Sequence, residues 1–383
     1  MKSVPMKKTH VIGTALFAAA MALPLSNSVF AEAAPEKGIV AFKYLNYEDR
    51  DSNPDQERIS VNAFSVMGMA PIAGKWSITT TYTNDSVSGA SPSGHSEYSP
   101  NFISGASKIH EQRQAVDLGV THYFQRGTVT LGQSYSSEND YISRGYSAQG
   151  TLSTEDKNTT FALGGSYTTD TISPTGLTDI YDNQIVFDKR TVAWFAGITK
   201  VLTKSDIVQL NLGYSRGMGD FTDHYKNFDK RPERRESETV MTRWNHHFDG
   251  SDGTSRLSYR YYTDTFGIHA HTFGLEYVQP VVNEWTVIPS IRYYSQTAAD
   301  FYSPTGVPLP PPEAYCSLDQ RLSSFGALTF SIKVEKRIAK EWLVDAKYEN
   351  YEQRAGWSMT GGGDKGLASF SARFIQLGLS REF

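Results

Sequence analysis

The chain ends in residues 368–383, which read ASFSARFIQLGLSREF. Successive side chains of a β-strand point to opposite faces of the sheet, so a strand with one apolar face alternates apolar and polar residues. One face of this stretch carries Ile375, Leu377, Leu379 and Phe383, and the other carries Gln376, Gly378, Ser380 and Glu382. The alternation predicts an amphipathic strand, and it is the pattern to look for in the rest of the chain.

This ending resembles the carboxy-terminal signature of bacterial outer-membrane β-barrels, which is an aromatic last residue with apolar residues at alternate positions before it. Arg381 interrupts the pattern where that signature has an apolar residue. Phe383 is therefore the predicted assembly signal, with the barrel-assembly machinery as its partner. Soluble domains also end on Phe, so the other features of the chain decide between the two classes.

The amino terminus has the pattern of a secretory signal peptide. Lys7 and Lys8 precede an apolar segment over 11–25, which is too short to span a bilayer as a retained helix. Val29 and Ala31 place small residues at the −3 and −1 positions of a cleavage site. We expect residues 1–31 to be cleaved and residues 32–383 to form a single outer-membrane barrel domain.

Composition favours β-structure, with 22 Tyr, 20 Phe, 6 Trp and 31 Gly. The mean hydropathy of −0.42 and the lack of a long apolar run in the mature part argue against membrane-spanning helices. The net charge is −4, and no basic stripe indicates nucleic-acid binding. Cys316 is the one cysteine, so no intrachain disulfide is possible, and its role is left open.

Strands of a transmembrane barrel alternate apolar-out and polar-in over about 10 residues. The clearest example is 255–264, where Leu257, Tyr259 and Tyr261 oppose Arg256, Ser258 and Arg260. The same alternation marks strands at 38–48, 57–70, 75–87, 109–124, 128–137, 141–153, 158–169, 189–202, 206–218, 236–248, 254–264, 267–281, 285–298, 321–337, 341–354 and 368–383.

A soluble β-sandwich shows the same alternation, but two further features favour a membrane barrel. The apolar faces end in Tyr, Trp or Phe, as interface girdles require, and short turns alternate with longer polar connections. The sequence therefore predicts an all-β, transmembrane, antiparallel, up-and-down β-barrel of about sixteen strands, with short periplasmic turns and longer outer loops. If Asp140 and Tyr141 belong to one long strand, the count becomes fourteen.

Polar faces of the predicted strands point into the barrel, where a water-filled lumen is expected. The candidate lumen-lining residues are Arg243, Arg256, Arg260, Arg292, Lys333, Glu335, Asp345, Lys347 and Glu349, together with Asp117 and Glu276. One hypothesis is an eyelet in which arginines face acids and select solutes by charge. The other is that these side chains pair across neighbouring strands and fill the lumen structurally.

No catalytic, cofactor or metal site is predicted. His269 and His271 share a strand face with Phe273, which directs them toward the membrane rim rather than the lumen. His246-His247 and the acidic loop residues Asp179, Asp182 and Asp188 match no dedicated metal site. An outer-membrane hydrolase is a further alternative, although no spacing singles out a nucleophile and its base.

Several motifs resemble a family of uncharacterised bacterial outer-membrane barrels, domain of unknown function 3570. They lie at 102–107, 137–141, 259–264, 292–296, 299–302 and 319–326. Residues 219–226 also resemble the family's Gly-x-x-x-Asp-Pro-Tyr-Lys loop, except that His224 stands in place of the proline. The resemblance implies a barrel in the outer membrane and suggests a periplasmic lipoprotein or a redox- or metal-handling system as a partner; it implies no substrate.

We therefore expect a porin-like channel for small polar solutes or ions, in contact with outer-membrane lipid and lipopolysaccharide. The alternative is a structural or partner-binding barrel that works with a periplasmic lipoprotein or redox partner. Residues 32–37 leave no room for a folded plug domain before the first strand, although a loop can still fold inward.

Overall fold

A computed structural model of the protein describes residues 34–51, 59–90, 108–226, 229–304 and 315–383. The predicted signal peptide at 1–31, the motif at 102–107 and the prolines of 308–312 lie outside the described residues. No helix in the described ranges has the length and apolarity needed to cross a membrane.

The described chain forms sixteen strands that close into one barrel, each antiparallel to its neighbours in sequence. The strands are β1 (Ile39–Asp51), β2 (Ser60–Ile72), β3 (Trp76–Ala90), β4 (Lys108–Phe124), β5 (Gly127–Ser137), β6 (Tyr141–Ser153), β7 (Thr159–Ile172), β8 (Phe187–Val201), β9 (Asp206–Gly219), β10 (Arg234–Phe248), β11 (Gly253–Asp264), β12 (His269–Val281), β13 (Trp285–Gln296), β14 (Phe325–Ala339), β15 (Trp342–Arg354) and β16 (Phe370–Glu382). The predicted sixteen-strand, all-β antiparallel barrel is confirmed.

The ring closes where β1 pairs with β16, in a register that runs from Ile39 opposite Glu382 to Asp51 opposite Phe370. Beyond the last strand, Phe383 and Gly38 exchange two backbone hydrogen bonds of 3.0 Å. Because the strand number is even, β1 begins and β16 ends on the same side of the barrel. We call this the turn side, since it also carries the short turns, and the opposite end the loop side.

The alternative count of fourteen is wrong. Glu138 donates its backbone N–H to the carbonyl of Tyr141 at 2.8 Å, and the chain reverses there between β5 and β6. The predicted start of β14 at 321 is also too early. Asp319 accepts a hydrogen bond from the backbone of Arg321 and caps a short 3-10 turn, so the strand begins at Phe325.

Two of the turn-side hairpins have the backbone that tight turns favour. Asn283 and Glu284 both have positive φ, 58° and 62°, and Ala73 and Gly74 have 50° and 69°. Consecutive residues with positive φ match the right-handed twist of the flanking strands, which is why such hairpins are compact.

The outer face of the barrel is apolar. Leu131 and Leu163 are 59% and 65% exposed in the isolated chain, as lipid-facing residues are expected to be. Aromatic side chains gather at both ends of this face. Trp76, Phe124, Phe248 and Trp285 are exposed beside the short turns, and Tyr135, Tyr146 and Tyr167 are exposed farther toward the loop side. This is the predicted girdle pattern.

On the loop side, several connections pack against one another. Phe266 of the β11–β12 loop, Phe301 of the β13–β14 loop and Leu322 are buried in one apolar cluster with Ile268 and Ala299. Phe221 of the β9–β10 loop and Tyr262 of β11 pack against it. We call this cluster the cap, because it joins loops rather than strands.

Candidate functional site

The candidate lumen residues lie on the face opposite the exposed apolar side chains. In β14, Phe330 and Ile332 are 54% and 46% exposed on the outer face, so Lys333 and Glu335 face inward. Register carries the same assignment to the other strands. The inward residues include Arg243, Arg256, Arg260, Glu276, Arg292, Lys333, Glu335, Asp345, Lys347 and Glu349.

Charges of opposite sign are neighbours within β14 and β15. Lys333 Nζ lies 2.5 Å from Glu335 Oε1 and 3.7 Å from Asp345 Oδ1. Lys347 Nζ lies 2.6 Å from Glu349 Oε2. This part of the wall therefore pairs its own charges, but mostly within one strand: of these three pairs, only Lys333–Asp345 joins neighbouring strands, as the second hypothesis expects.

The arginines of β10 to β13 are less fully paired. Arg256 donates to Glu276 at 2.7 Å, and Arg292 Nη2 lies 3.6 Å from Glu349 Oε1. Arg243 and Arg260 form no ion pair with any described residue, and Arg260 instead lies over the ring of Tyr262 at 5.5 Å. Both side chains are exposed on the inner face. The charged wall therefore carries two positive charges that no acidic side chain among the described residues pairs with.

The wall formed by β5 to β9 differs in chemistry. Between its ends it presents hydroxyls, amides and glycines rather than charges. A cavity of about 320 Å³ lies against it, with Thr130, Ser147, Gln149, Ser166, Phe195, Ser215 and Thr239 among its lining residues. The lumen is thus asymmetric, with a neutral wall on one side and a charged wall on the other.

The β9–β10 loop reaches two other parts of the loop side. We call the described residues of this loop, 220–226 and 229–233, the strap. Tyr225 Oη donates to the carboxylate of Asp140, in the β5–β6 turn. The same hydroxyl accepts from the backbone N–H of Thr175, in the β7–β8 loop, at 2.8 Å.

The next residue of the strap bonds in a different direction. Lys226 Nζ lies 3.0 Å from Asp319 Oδ1 and 3.0 Å from Gln320 Oε1, both in the β13–β14 loop. The side chains of Lys226 and Asp319 are 2% and 0% exposed. Asp319 also accepts from Arg231 of the strap at 2.8 Å and from the guanidinium of Arg321. One buried carboxylate therefore holds three cationic side chains.

The electrostatics of this cluster favour its ionised form. Burial by itself would raise the pKa of Asp319, but the charges of Lys226, Arg321 and Arg231 and the hydrogen bond from Arg321 hold it well below its usual range. Burial lowers the pKa of Lys226, and Asp319 opposes that shift. A buried ion pair of this kind is costly to break, because removing one partner leaves the other charged and desolvated.

The two attachment points of the strap belong to loops that start on opposite sides of the ring. Asp140 follows β5 and Asp319 precedes β14, and β5 and β13 are eight strands apart in a ring of sixteen. The strap itself begins midway between them, after β9. It therefore runs over the loop-side mouth of the lumen and joins loops that come from opposite sides of the ring.

Sequence reasoning identified the motifs at 219–226 and 319–326 but not the contact between them. His224 replaces the expected proline, yet Lys226 N–H still donates to Asp223 O at 3.0 Å, so the tight turn forms. His224 Nε2 lies 2.5 Å from Asp220 Oδ2, and its ring stacks on Phe187 at 4.1 Å between centroids. These contacts hold the turn that places Tyr225 and Lys226.

The residues weighed as metal ligands have other partners. Tyr261 and Tyr259 contact His269 and His271 on the outer face, at 3.0 and 2.9 Å. Asp179 accepts from the backbone of its own loop. Within the described ranges, no group of three or more His, Cys, Asp or Glu is placed to hold a metal ion.

The closed barrel with an apolar outer face and a polar lumen defines the class of the protein as an outer-membrane-type β-barrel. A family model described as "Protein of unknown function (DUF3570)" matches residues 13–374, and the chain belongs to this family. No curated protein matches the sequence.

Several solved structures are similar to this chain at low sequence identity. A bacterial polysaccharide outer membrane secretin is 8% identical with a TM-score of 0.53, covering 90% of this chain and 98% of that chain. OccK1 (OpdK) of Pseudomonas aeruginosa is 8% identical with a TM-score of 0.46, covering 92% of this chain and 100% of that one. OccK2 (OpdF) of the same organism is 11% identical with a TM-score of 0.44, covering 92% and 96%.

Proposed function

We propose that this protein resides in the outer membrane, in contact with lipid and lipopolysaccharide, and forms a porin-like channel for small polar solutes or ions. One observation carries the proposal: exposed arginines at 243, 260 and 292 face inward from a barrel whose outer face is apolar. A charged side chain stays exposed at low cost only where water reaches it. A ring of sixteen strands is wide enough to enclose such water.

The strap gives this channel a restricted entrance. It crosses the loop-side mouth and is held by the Asp319 ion cluster and by the Tyr225–Asp140 hydrogen bond. Solutes therefore pass beside the strap or wait for it to move. We propose that the strap limits the size of the solutes that enter and sets the open probability of the channel.

Single-channel recording tests this function. The refolded mature chain is inserted into a planar bilayer, with heat-modifiable migration as evidence of a folded barrel. We expect discrete conductance steps in potassium chloride. A folded barrel that stays silent, both as wild type and with the strap released by Lys226→Met, would rule out a channel.

The crossing strap also supports the second candidate, a barrel that works with a periplasmic lipoprotein or a redox- or metal-handling protein. A mouth closed on the loop side leaves the turn side as the accessible end of the lumen. Crosslinking in intact cells, followed by affinity purification of the barrel, tests this proposal. Recovery of one periplasmic protein in equal amount, with no conductance from any variant, would favour it over the channel.

A further inference from the structure

Three arginines of the charged wall surround a shelf of small residues. Arg243 pairs in register with Ser258, Ser258 with Gly274, and Gly274 with Arg292, so these positions form one row across β10 to β13. Neighbouring strands are about 4.8 Å apart, which puts the two arginine backbones about 14 Å apart. The residues between them are small.

Arg260 completes the arrangement from the adjacent row. It lies two residues along β11 from Ser258, and its row continues through Thr272 to Tyr294. The half-buried Tyr294 thus lies on the inner face in the row of Arg260 and two residues along β13 from Arg292. Its hydroxyl donates to Gln296 at 2.6 Å, which leaves the ring rather than the hydroxyl to meet a solute.

The charge on this shelf is unbalanced. The nearby acid Glu276 pairs with Arg256 at 2.7 Å, and Glu349 is shared between Arg292 and Lys347. No described acid pairs with Arg243 or Arg260. Guanidinium groups bind planar carboxylates through two parallel hydrogen bonds, and aromatic rings pack against flat apolar groups.

We infer that Arg243, Arg260 and Arg292, with Tyr294, form a binding site for small organic carboxylates, and that such anions are the preferred solutes of the channel. Only the second part of this inference, that such anions are the preferred solutes of the channel, rests on the proposed function. Binding to the shelf requires a water-filled lumen but not an open path through it.

Binding is measured first, because it does not depend on conductance. Benzoate is titrated into the refolded full mature chain in detergent by calorimetry, with benzylammonium and inorganic phosphate as comparison probes. We expect benzoate to bind and benzylammonium not to bind. Arg260→Gln should weaken benzoate binding about tenfold, the effect of losing one charge-assisted hydrogen bond.

The matched control is Arg144→Gln, which removes the same charge from an exposed position on the outer face. It should leave benzoate binding unchanged. Heat-modifiable migration shows whether Arg260→Gln has folded. If it has not, Arg243→Gln takes its place in the experiment. Equal weakening by Arg144→Gln, no benzoate binding at all, or tighter binding of phosphate would each overturn the inference.

Conductance then separates this inference from the proposed function. In a potassium chloride gradient, wild-type channels should have an anion-selective reversal potential and should be blocked by benzoate. Arg243→Gln with Arg260→Gln should move the reversal potential toward cation selectivity. Open channels that prefer cations and ignore benzoate would refute the carboxylate site while leaving the channel intact. Folded barrels that bind benzoate but never conduct would refute the channel and keep the site.

Discussion

Tyr225 and Lys226 are adjacent in sequence but bond to loops that come from opposite sides of the barrel. Tyr225 donates to Asp140 beside β6, and Lys226 donates to Asp319 ahead of β14. Both residues lie in the turn that is closed by the hydrogen bond from Lys226 N–H to Asp223 O, and each side chain meets a different loop. Two neighbouring residues of the strap therefore link loops from opposite sides of the ring above the lumen.

The Lys226–Asp319 ion pair should control the stability of the cap. Lys226→Met leaves Asp319 buried with one cation fewer, and breaking a buried pair costs about 3–5 kcal/mol. Cys316 provides the measurement, because it is the one cysteine, is buried, and exchanges backbone hydrogen bonds with Lys230 of the strap. We expect its thiol to be alkylated at least about tenfold faster in Lys226→Met.

Lys204→Met is the control for this experiment, since Lys204 is exposed in the β8–β9 turn, on the turn side of the barrel. Its alkylation rate should equal that of the wild type. An unchanged rate in a folded Lys226→Met barrel would show that the ion pair does not hold the cap.

The Tyr225–Asp140 hydrogen bond should set how often the other end of the strap is released. Tyr225→Phe keeps the ring but removes a hydrogen bond to a carboxylate, a loss of about 1.5–3 kcal/mol. We expect the open probability in single-channel recordings to rise about tenfold. Tyr181→Phe, at a 78% exposed position in the neighbouring β7–β8 loop, should have no effect. Equal open probabilities in all three proteins would exclude this contact as a latch.

Glu138 should make the loop side sensitive to pH. Burial raises the pKa of its carboxyl to about 7; Arg113 opposes the shift, and Asp140 and Asp85 add to it. A carboxyl whose folded-state pKa is raised stabilises the fold below its ordinary pKa, about 4.5, and that contribution is lost as pH rises to about 7. Cys316 alkylation, corrected for thiolate fraction, should therefore be slower at pH 5 than at pH 8.

Glu138→Gln should flatten this pH dependence, because the amide does not titrate. Glu155→Gln, an exposed position on the turn side, should preserve it. A pH profile that is the same in wild type and Glu138→Gln would assign the effect to another group.

Phe383 should contribute to closure of the ring. Its backbone exchanges two hydrogen bonds with Gly38, and its ring covers that glycine so closely that an added Cβ would lie 2.5 Å from it. We expect Phe383→Ala to lower the yield of heat-modifiable barrel in membranes. Phe124→Ala removes a comparably exposed ring from the same end and should have the smaller effect. Wild-type yield from Phe383→Ala would argue against the predicted assembly signal.

The strands could be predicted because the alternation of apolar and polar residues that marks each strand lies within its own stretch of sequence. The alternation of Leu257, Tyr259 and Tyr261 with Arg256, Ser258 and Arg260 is complete within one stretch, and it gave both the strand and its inward face. The ion-pair partner of each charged side chain was harder to predict. Arg256 meets Glu276 because of the β11–β12 register, which a single strand does not reveal.

The contacts of the strap could not be predicted from the pattern of a single stretch of sequence. Lys226 and Asp319 are 93 positions apart, and the contact requires a closed ring that brings the β9–β10 and β13–β14 loops together. In the sequence, a lysine that becomes buried in a polar loop cannot be distinguished from a lysine that stays in water. The motifs at 219–226 and 319–326 marked the segments, but only the folded barrel showed that they bind each other.

The seam between β1 and β16 has a consequence for how the protein is made. Until those strands meet, a partly assembled sheet has two edges whose N–H and C=O groups have no partner, and such edges recruit strands from other chains. In a bilayer, unpaired backbone groups are costly as well. Each added hairpin pairs its own strands but leaves the growing sheet with two free edges, and the last pairing, at the seam, removes both edges at once. We expect assembly to be all-or-none, with aggregation, rather than a smaller barrel, as the outcome when the seam fails.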